Sequence, residues 1–545
     1  MSGQPSLLTV NSLAISTSDD SPLVKGISFA VEKGEIVALV GESGSGKTLS
    51  SLAVMGLLPE GVRQTGGEVC FNDDVVATPG KPFVKGLRGR QIGMIFQEPM
   101  SSMNPVLKVG EQIAEVLVRH QNMGWKQAHR EAVALLDRVG IVDPAARAKQ
   151  YIHQLSGGMR QRVMIASAIC CQPSLLIADE PTTALDVTIQ AQILALLQEL
   201  QRDMGMGVLF ITHDLSVVAR YADRAYVMHQ GNIIEQGEVP VLLGSPQADY
   251  TRRLIAASEA VIMPLDRRSR ASTPLVHLSQ VTKSYPVTSS LPFAAPKRTA
   301  VLHSTTLDIG RGEIVGLIGE SGSGKTTLGR TATGMLAPDS GTVMFDGLNL
   351  SRASSRELQQ MRRRAQIIFQ DPYASLDPKM TVGEQIAEPL RVHKLRPASQ
   401  IPARVAELLE LVGLDAAFAT RMPAAFSGGQ RQRIAIARAL ALEPDLLVAD
   451  EAVSALDLSV RGQILALFAA LRDKLGLTVL FISHDLGAVR QVCDRVVVLY
   501  RGKVVEMGDT ARVLESPNHE YTRQLLAAAP DIRQALLLRE RELQR

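Results

Sequence analysis

Short, almost wholly apolar runs recur along this chain, and the stretches between them place apolar residues at every third or fourth position. EIVALV (Glu35–Val40), SLLIAD (Ser174–Asp179) and GVLFIT (Gly207–Thr212) read as buried strands. EIVGLI (Glu313–Ile318), DLLVAD (Asp445–Asp450) and TVLFIS (Thr478–Ser483) read the same way in the second half. TIQAQILALLQELQRDM, beginning at Thr188, has the helical period instead. Strands alternating with helices predict parallel strands and crossover helices, hence an α/β sheet whose ligand site lies at the carboxyl ends of the strands.

The pattern is written twice. EIVALVGESGSGKT from Glu35 returns as EIVGLIGESGSGKT from Glu313, an offset of 278 residues. MIFQEPMSSMNP around Gln97 returns as IIFQDPYASLDP around Gln370 at 273, and LSGGMRQR from Leu155 returns as FSGGQRQR from Phe426 at 271. LLIADE and FITHD return as LLVADE and FISHD, also at 271. Blocks in one order with a drift of a few residues mark two domains that differ in their surface loops. The expected division is domain one over 1–262, a linker over 263–274 and domain two over 275–545. The linker is rich in arginine, proline and small polar residues. The stretch PVTSSLPFAAPKRT before Ala300 reads as an exposed insertion of the second copy.

Composition narrows the classes. With 545 residues, 46% hydrophobic and 21% charged, the chain is globular and too long for one core. Its net charge of +3 gives no electrostatic case for a nucleic-acid partner, and the short basic runs RRSR and RRR (Arg362–Arg364) read as solvated surface. No apolar run approaches the ~18 residues of a membrane span, and the start lacks the order of a secretory signal, so a cytoplasmic location is expected. Cys70, Cys170, Cys171 and Cys493 lack zinc-site spacing and read as reduced structural residues.

GESGSGKT has the spacing GxxxxGK[ST] after a predicted strand and before a helical pattern, the context of a phosphate cradle. Gly41, Ser43, Gly44, Ser45 and Gly46, and Gly319, Ser321, Gly322, Ser323 and Gly324, would turn backbone N–H groups toward phosphates. Lys47 and Lys325 would reach the terminal phosphates, with Thr327 beside them in the second copy, and Thr48 and Thr326 would offer hydroxyls to Mg²⁺. Asp179 and Asp450 end a buried apolar run and would complete the metal shell. Glu180 and Glu451 would polarise the attacking water, because phosphoryl transfer needs positioning and charge stabilisation. His213 and His484 each follow a β-run and precede Asp, a place from which to sense the γ-phosphate.

With these motifs on the page, LSGGMRQR and FSGGQRQR resemble the signature of the ATP-binding cassette (ABC) family. ALD (Ala184–Asp186) and SALD (Ser454–Asp457) fit the same pattern. The resemblance covers almost the whole chain and implies two tandem P-loop ATPase domains, each a RecA-like core with a helical subdomain. It adds Gln97 and Gln370 to the metal site. It implies that the signature of one cassette faces the phosphate loop of the other, so that Ser156, Gly157 and Gly158 complete the Lys325 site and Ser427, Gly428 and Gly429 that of Lys47. It also implies adenine stacking on Tyr285, whose counterpart in the first copy is Thr17. Ala452 replaces the proline usual after the second glutamate.

Two function classes compete within the family: the motor of a membrane transporter, and a soluble tandem cassette acting on ribosomes or DNA. The short seam, DEPTTALD and DEAVSALD, and the absence of a cysteine-rich module favour transport. GEQIAE at Gly110 and Gly383, with the endings SPQADYTRRLIAA and SPNHEYTRQLLAAAP, resembles the peptide and nickel branch of bacterial importers, including Yej-type, glutathione and microcin C systems. That resemblance implies ATP and Mg²⁺ as ligands, two membrane permeases and indirectly a periplasmic solute-binding protein as partners, and a peripheral place on the cytoplasmic face of the inner membrane. The inserts, 98–154 and 371–425, would receive the permeases. No iron–sulphur cluster is expected, since the chain has no cysteine after Cys171 until Cys493. Peptides, glutathione, opines and metallophores all remain open as cargo.

Overall fold

Alternating buried and exposed positions at the start of the chain make Leu8–Thr17 (β1) and Pro22–Val31 (β2) a half-buried antiparallel pair. Ile36–Val40 (β3), by contrast, is buried at every position. It leads through the glycine-rich loop into Lys47–Val54 (α1). Val62–Phe71 (β4) and Asp74–Ala77 (β5) extend the antiparallel sheet to the order β2-β1-β4-β5. Ile92–Ile95 (β6) enters a helical insert containing Val109–Gln121 (α2) and Trp125–Arg138 (α3). Gly157–Ile169 (α4), Leu175–Asp179 (β7), Val187–Met204 (α5) and Gly207–Thr212 (β8) follow in crossover order. Leu215–Tyr221 (α6), Arg224–His229 (β9), Asn232–Glu238 (β10) and Asp249–Glu259 (α7) complete the first half.

The main sheet runs β10-β9-β3-β8-β7-β6, parallel except for its β10 edge. Strand β3 shows why its residues are apolar without interruption. Val37 and Leu39 pack toward the antiparallel sheet, whereas Ala38 and Val40 pack toward the helices. The register sets Val40 beside Thr212 and Asp179 beside Ile211, so β3, β7 and β8 end level. Everything that follows these strands emerges at one edge of the sheet.

The second half repeats the plan. Val276–Val287 (β11), Lys297–Ile309 (β12), Ser340–Phe345 (β14) and Leu348–Asn349 (β15) form the antiparallel sheet. Ile314–Ile318 (β13), Ala365–Ile368 (β16), Leu446–Asp450 (β17), Thr478–Ile482 (β18), Arg495–Tyr500 (β19) and Lys503–Asp509 (β20) form the main sheet, in the order β16-β17-β18-β13-β19-β20. Its helices include Lys325–Ala332 (α8), Val382–Val392 (α9), Ile401–Leu411 (α10), Gly428–Leu440 (α11), Leu458–Leu475 (α12), Leu486–Val492 (α13) and Glu520–Ala528 (α14).

This computed structural model describes residues 6–182, 185–259, 274–287, 297–370, 375–453, 456 and 458–543. The expected linker apart from Pro274, residues 288–296 of the expected insertion, and Ala184, Ser454, Ala455 and Asp457 of the ALD motifs lie outside them, while the described ends of that insertion belong to β11 and β12. The chain divides into two units, Met1–Glu259 with Ala529–Arg545, and Ala260–Ala528. The last helix, Ile532–Leu543 (α15), therefore belongs with the first unit, although the sequence reading carried the second domain to the end of the chain. Ile532 and Ala535 enter the core that α4, α5 and α6 share, and Arg539 reaches Asp223 at 2.6 Å.

Each insert is braced by its GEQIAE stretch. The Gln112 amide donates to the carbonyls of Asn104 and Leu107 and accepts from the Asn104 N–H, and Gln385 does the same with Asp377 and Met380. Ile113 and Ile386 are fully buried and serve packing. The large apolar residues left exposed on the first insert are Val106, Trp125 and Val142. Among the described residues no helix is long and apolar enough to cross a membrane.

Candidate ATP-hydrolysing sites

Each phosphate loop is shaped by its backbone. Gly46 and Gly324, which precede α1 and α8, have φ of 102° and 103°, a region closed to ordinary side chains. A Cβ at Gly41 would stand 2.2 Å from the Met228 carbonyl oxygen, and one at Gly319 2.1 Å from that of Leu499, so the loop can lie against the neighbouring strand only with glycine there. Ser43 and Ser321 stand exposed at the tips, with Gly44 and Gly322 beside them. Lys47, 5% exposed, donates to the Gly41 and Glu42 carbonyls at 2.7 and 2.8 Å. Lys325 does the same to Gly319 and Glu320 at 2.7 and 2.9 Å.

The loops carry two orphaned hydroxyls. Ser45 Oγ and Ser323 Oγ are buried and have no hydrogen-bond partner among the described residues. A buried hydroxyl without a partner costs free energy, and an oxyanion at the loop would relieve it. The residues present therefore fit a phosphate group.

At the ends of β7 and β17 the acids are divided by direction. Thr48 Oγ1 donates to Asp179 Oδ1 at 3.2 Å, and Thr326 Oγ1 to Asp450 Oδ1 at 3.1 Å. A hydroxyl and one carboxylate supply hard oxygen ligands, and Mg²⁺ is commonly held by one or two carboxylates plus the phosphates of its substrate. Burial, and then the Glu180 charge, push the Asp179 carboxyl up to about 6, and Asp450 moves the same way for the same leading reason. A cation beside these oxygens would hold them ionised.

Glu180 and Glu451 have φ of 46° and 51°, rare for a non-glycine residue. Such backbone costs about 1–3 kcal/mol and persists where its surroundings over-determine it. Here the Glu180 N–H donates to the Ile211 carbonyl and the Glu451 N–H to that of Ile482, both at 2.9 Å. The turn aims each side chain at two partners. Gln97 Nε2 donates to Glu180 Oε2 at 2.9 Å and His213 Nδ1 lies 3.1 Å from Oε1. In the second unit Gln370 donates to Glu451 at 2.6 Å and His484 Nδ1 lies 3.5 Å away. The His484 hydrogen bond is the main reason the Glu451 carboxyl stays below the usual range. The sequence reading placed both glutamines on the metal; each uses its Nε2 on the glutamate, which leaves its carbonyl oxygen as the atom that could meet a metal.

The signature motifs open α4 and α11. Ser156 Oγ accepts from the Met159 N–H and Ser427 Oγ from the Gln430 N–H, both at 3.4 Å, with Gly157 and Gly428 in the first turn. Gly158 and Gly429 have a packing reason, since a Cβ would meet Ile189 at 2.7 Å and Val460 at 2.2 Å. A helix N-terminus with glycines in its first turn suits an anion. Tyr285 is 38% exposed, its Oη 3.5 Å from Thr327 Oγ1. Leu8 pairs with Val31 and Phe71 as Val276 pairs with Ile309 and Phe345, so Thr17 occupies the place of Tyr285. Ala452 is buried in the turn after Glu451.

Sequence reasoning missed the residues behind the loops, Tyr250 and Tyr521. Their only signal was the repeated YTR of the domain endings, read as a marker of branch.

A profile of the ABC transporter family matches residues 24–183 and 302–454. A profile of the oligopeptide/dipeptide transporter C-terminal region matches residues 505–544. The glutathione import ATP-binding protein GsiA of Shigella flexneri is 45% identical to this chain, over 96% of it and 89% of the relative. The protein of the same name from Escherichia coli (strain K12) has the same identity and coverage. Among solved structures, a dimeric ATP-binding cassette in a post-hydrolysis state bound to ADP and Pi is 32% identical, with a TM-score of 0.39, over 43% of this chain and 98% of that one.

Proposed function

The chain belongs to the ABC transporter family, and on that premise we propose that it is the ATP-hydrolysing subunit of a bacterial importer for glutathione or similar short peptides. The observation that carries this is the duplication of one complete set. Thr with Asp for the metal, and Gln and His on a strained Glu, recur at the same sheet edge in both units. The match of 505–544 to the oligopeptide/dipeptide transporter C-terminal region supports a peptide-like solute.

Lys47 and Lys325 swing from the loop carbonyls to the β- and γ-phosphates, and Ser45 and Ser323 bond the same oxyanions. Thr48 with Asp179, and Thr326 with Asp450, would hold Mg²⁺, which would supply charge neutralisation of the phosphates when bound. Glu180 and Glu451 orient the attacking water, and His213 and His484 fix each carboxylate and face the γ-phosphate. Gln97 and Gln370 bridge these glutamates to the inserts, from which the motion passes to two permeases at the cytoplasmic face of the inner membrane. Val106, Trp125 and Val142 offer apolar grip for such a partner. A solute-binding protein delivers cargo on the far side. Deleting this chain should abolish uptake of labelled glutathione or dipeptide, and the wild-type chain but not E180Q/E451Q should restore it. Unimpaired uptake of both solutes in the deletion strain contradicts the assignment.

A further inference from the structure

One peptide group in each phosphate loop is gripped at both ends. Its carbonyl, that of Gly41 or Gly319, accepts from the loop lysine at 2.7 Å in both units. Its N–H, that of Glu42 or Glu320, donates to a tyrosine hydroxyl from outside the loop: Tyr250 Oη at 3.4 Å and Tyr521 Oη at 2.9 Å. A peptide unit is planar, so a partner that fixes the N–H also fixes the direction of the carbonyl.

The tyrosines are themselves held. Tyr250 lies tilted against His229, ring centroids 4.0 Å apart, and Tyr521 stacks on Tyr500 at 4.1 Å. His229 and Tyr500 end the strands whose preceding carbonyls, Met228 and Leu499, lie against Gly41 and Gly319. The helices that carry the tyrosines, α7 and α14, are seated by a carboxylate from β10 or β20. Glu235 accepts from the N–H groups of Gln247 and Ala248 at 2.7 and 3.1 Å, and Glu506 from Asn518 and His519 at the same distances. Burial alone would raise both carboxyls, and these N–H bonds help to hold them below their usual range.

We propose that Tyr250 and Tyr521 are positioning residues for nucleotide, holding the Gly41–Glu42 and Gly319–Glu320 peptide groups in the orientation the phosphate loop needs. The inference rests on the ATP-binding reading above. When the lysine turns to a phosphate, the carbonyl end of the peptide group loses that partner while the tyrosine contact persists. The loop then keeps its shape through the exchange, and less ordering is left for binding to supply. Nucleotide affinity thereby depends on how the YTR helix is seated.

The test titrates fluorescent ADP with Mg²⁺ into full-length chains in which one site is silenced. Tyr250→Phe is compared in a K325A background and Tyr521→Phe in a K47A background, each against its parent. Phenylalanine keeps the ring contact and removes one neutral hydrogen bond, so binding should weaken about two- to tenfold. The loss should be larger for Tyr521→Phe, whose bond is shorter. Melting temperatures without nucleotide should not move, and with both lysines intact Y250F/Y521F should raise KM for ATP by more than it lowers kcat. Unchanged affinity, or weakening only together with a lower melting temperature, overturns the inference alone. Parents that bind no probe overturn the ATP-binding reading and the inference with it.

Discussion

The side-chain amide of Gln97 donates to the carboxylate of Glu180 at 2.9 Å, tying the residue just before the helical insert to the acid that follows β7. Gln370 and Glu451 repeat the tie at 2.6 Å.

Replacing both glutamates by glutamine keeps the shape and the amide partners while removing the charge that orients water. E180Q/E451Q should bind ATP as the wild type does and hydrolyse it ~10² times more slowly or worse. Phosphate release by the purified double variant checks this, and an undiminished rate would refute the assignment of these residues.

The two sites should not bind nucleotide equally. Aromatic stacking on a base is worth ~1–3 kcal/mol at single-stranded nucleic-acid sites, and Tyr285 has no aromatic counterpart in the first unit. Thr17 cannot stack, and its hydroxyl accepts from the Ser21 N–H at 3.1 Å. The Lys325 site should therefore bind ATP about tenfold more tightly than the Lys47 site. Titrations of K47A and K325A compare them, and equal dissociation constants remove the claim.

Helix α15 should stabilise the first unit, although it is the last element of the chain. Ile532 is 4% exposed, and truncation of a buried Ile to Ala costs about 2–5 kcal/mol. The Arg539–Asp223 pair, with Asp223 half-exposed, is worth only about 0.2–1 kcal/mol. I532A should thus lower the melting transition of the first unit far more than R539A does. If both leave the transition in place, α15 does not hold the first unit together.

The strands, the phosphate loops and the acids were legible because each is a local pattern: a run buried on both faces, a fixed spacing, a carboxylate after an apolar strand. The left-handed backbone of Glu180 was not legible, since it follows from the hydrogen bond to Ile211 across the sheet. The return of α15 was also hidden, because a helical period states that Ile532 and Ala535 share a face but not which core receives them. The glutamines were legible as site residues, but their bonds to Glu180 and Glu451 were not, because tertiary geometry decides them. Tyr250 and Tyr521 escaped because a tyrosine about 200 residues from the loop it touches has no local signature.

The central claim is that ATP turnover at these two sites drives a permease, and coupling of that kind is reciprocal in binding free energy. The measurement that bears on it most directly is phosphate release by this chain in proteoliposomes, with and without its genetically linked permeases and the solute-loaded binding protein. Turnover should rise when all three are present, with matching uptake of glutathione or dipeptide, and both should vanish in E180Q/E451Q. Turnover indifferent to the permeases, in a chain that instead co-sediments with ribosomes, would contradict the account.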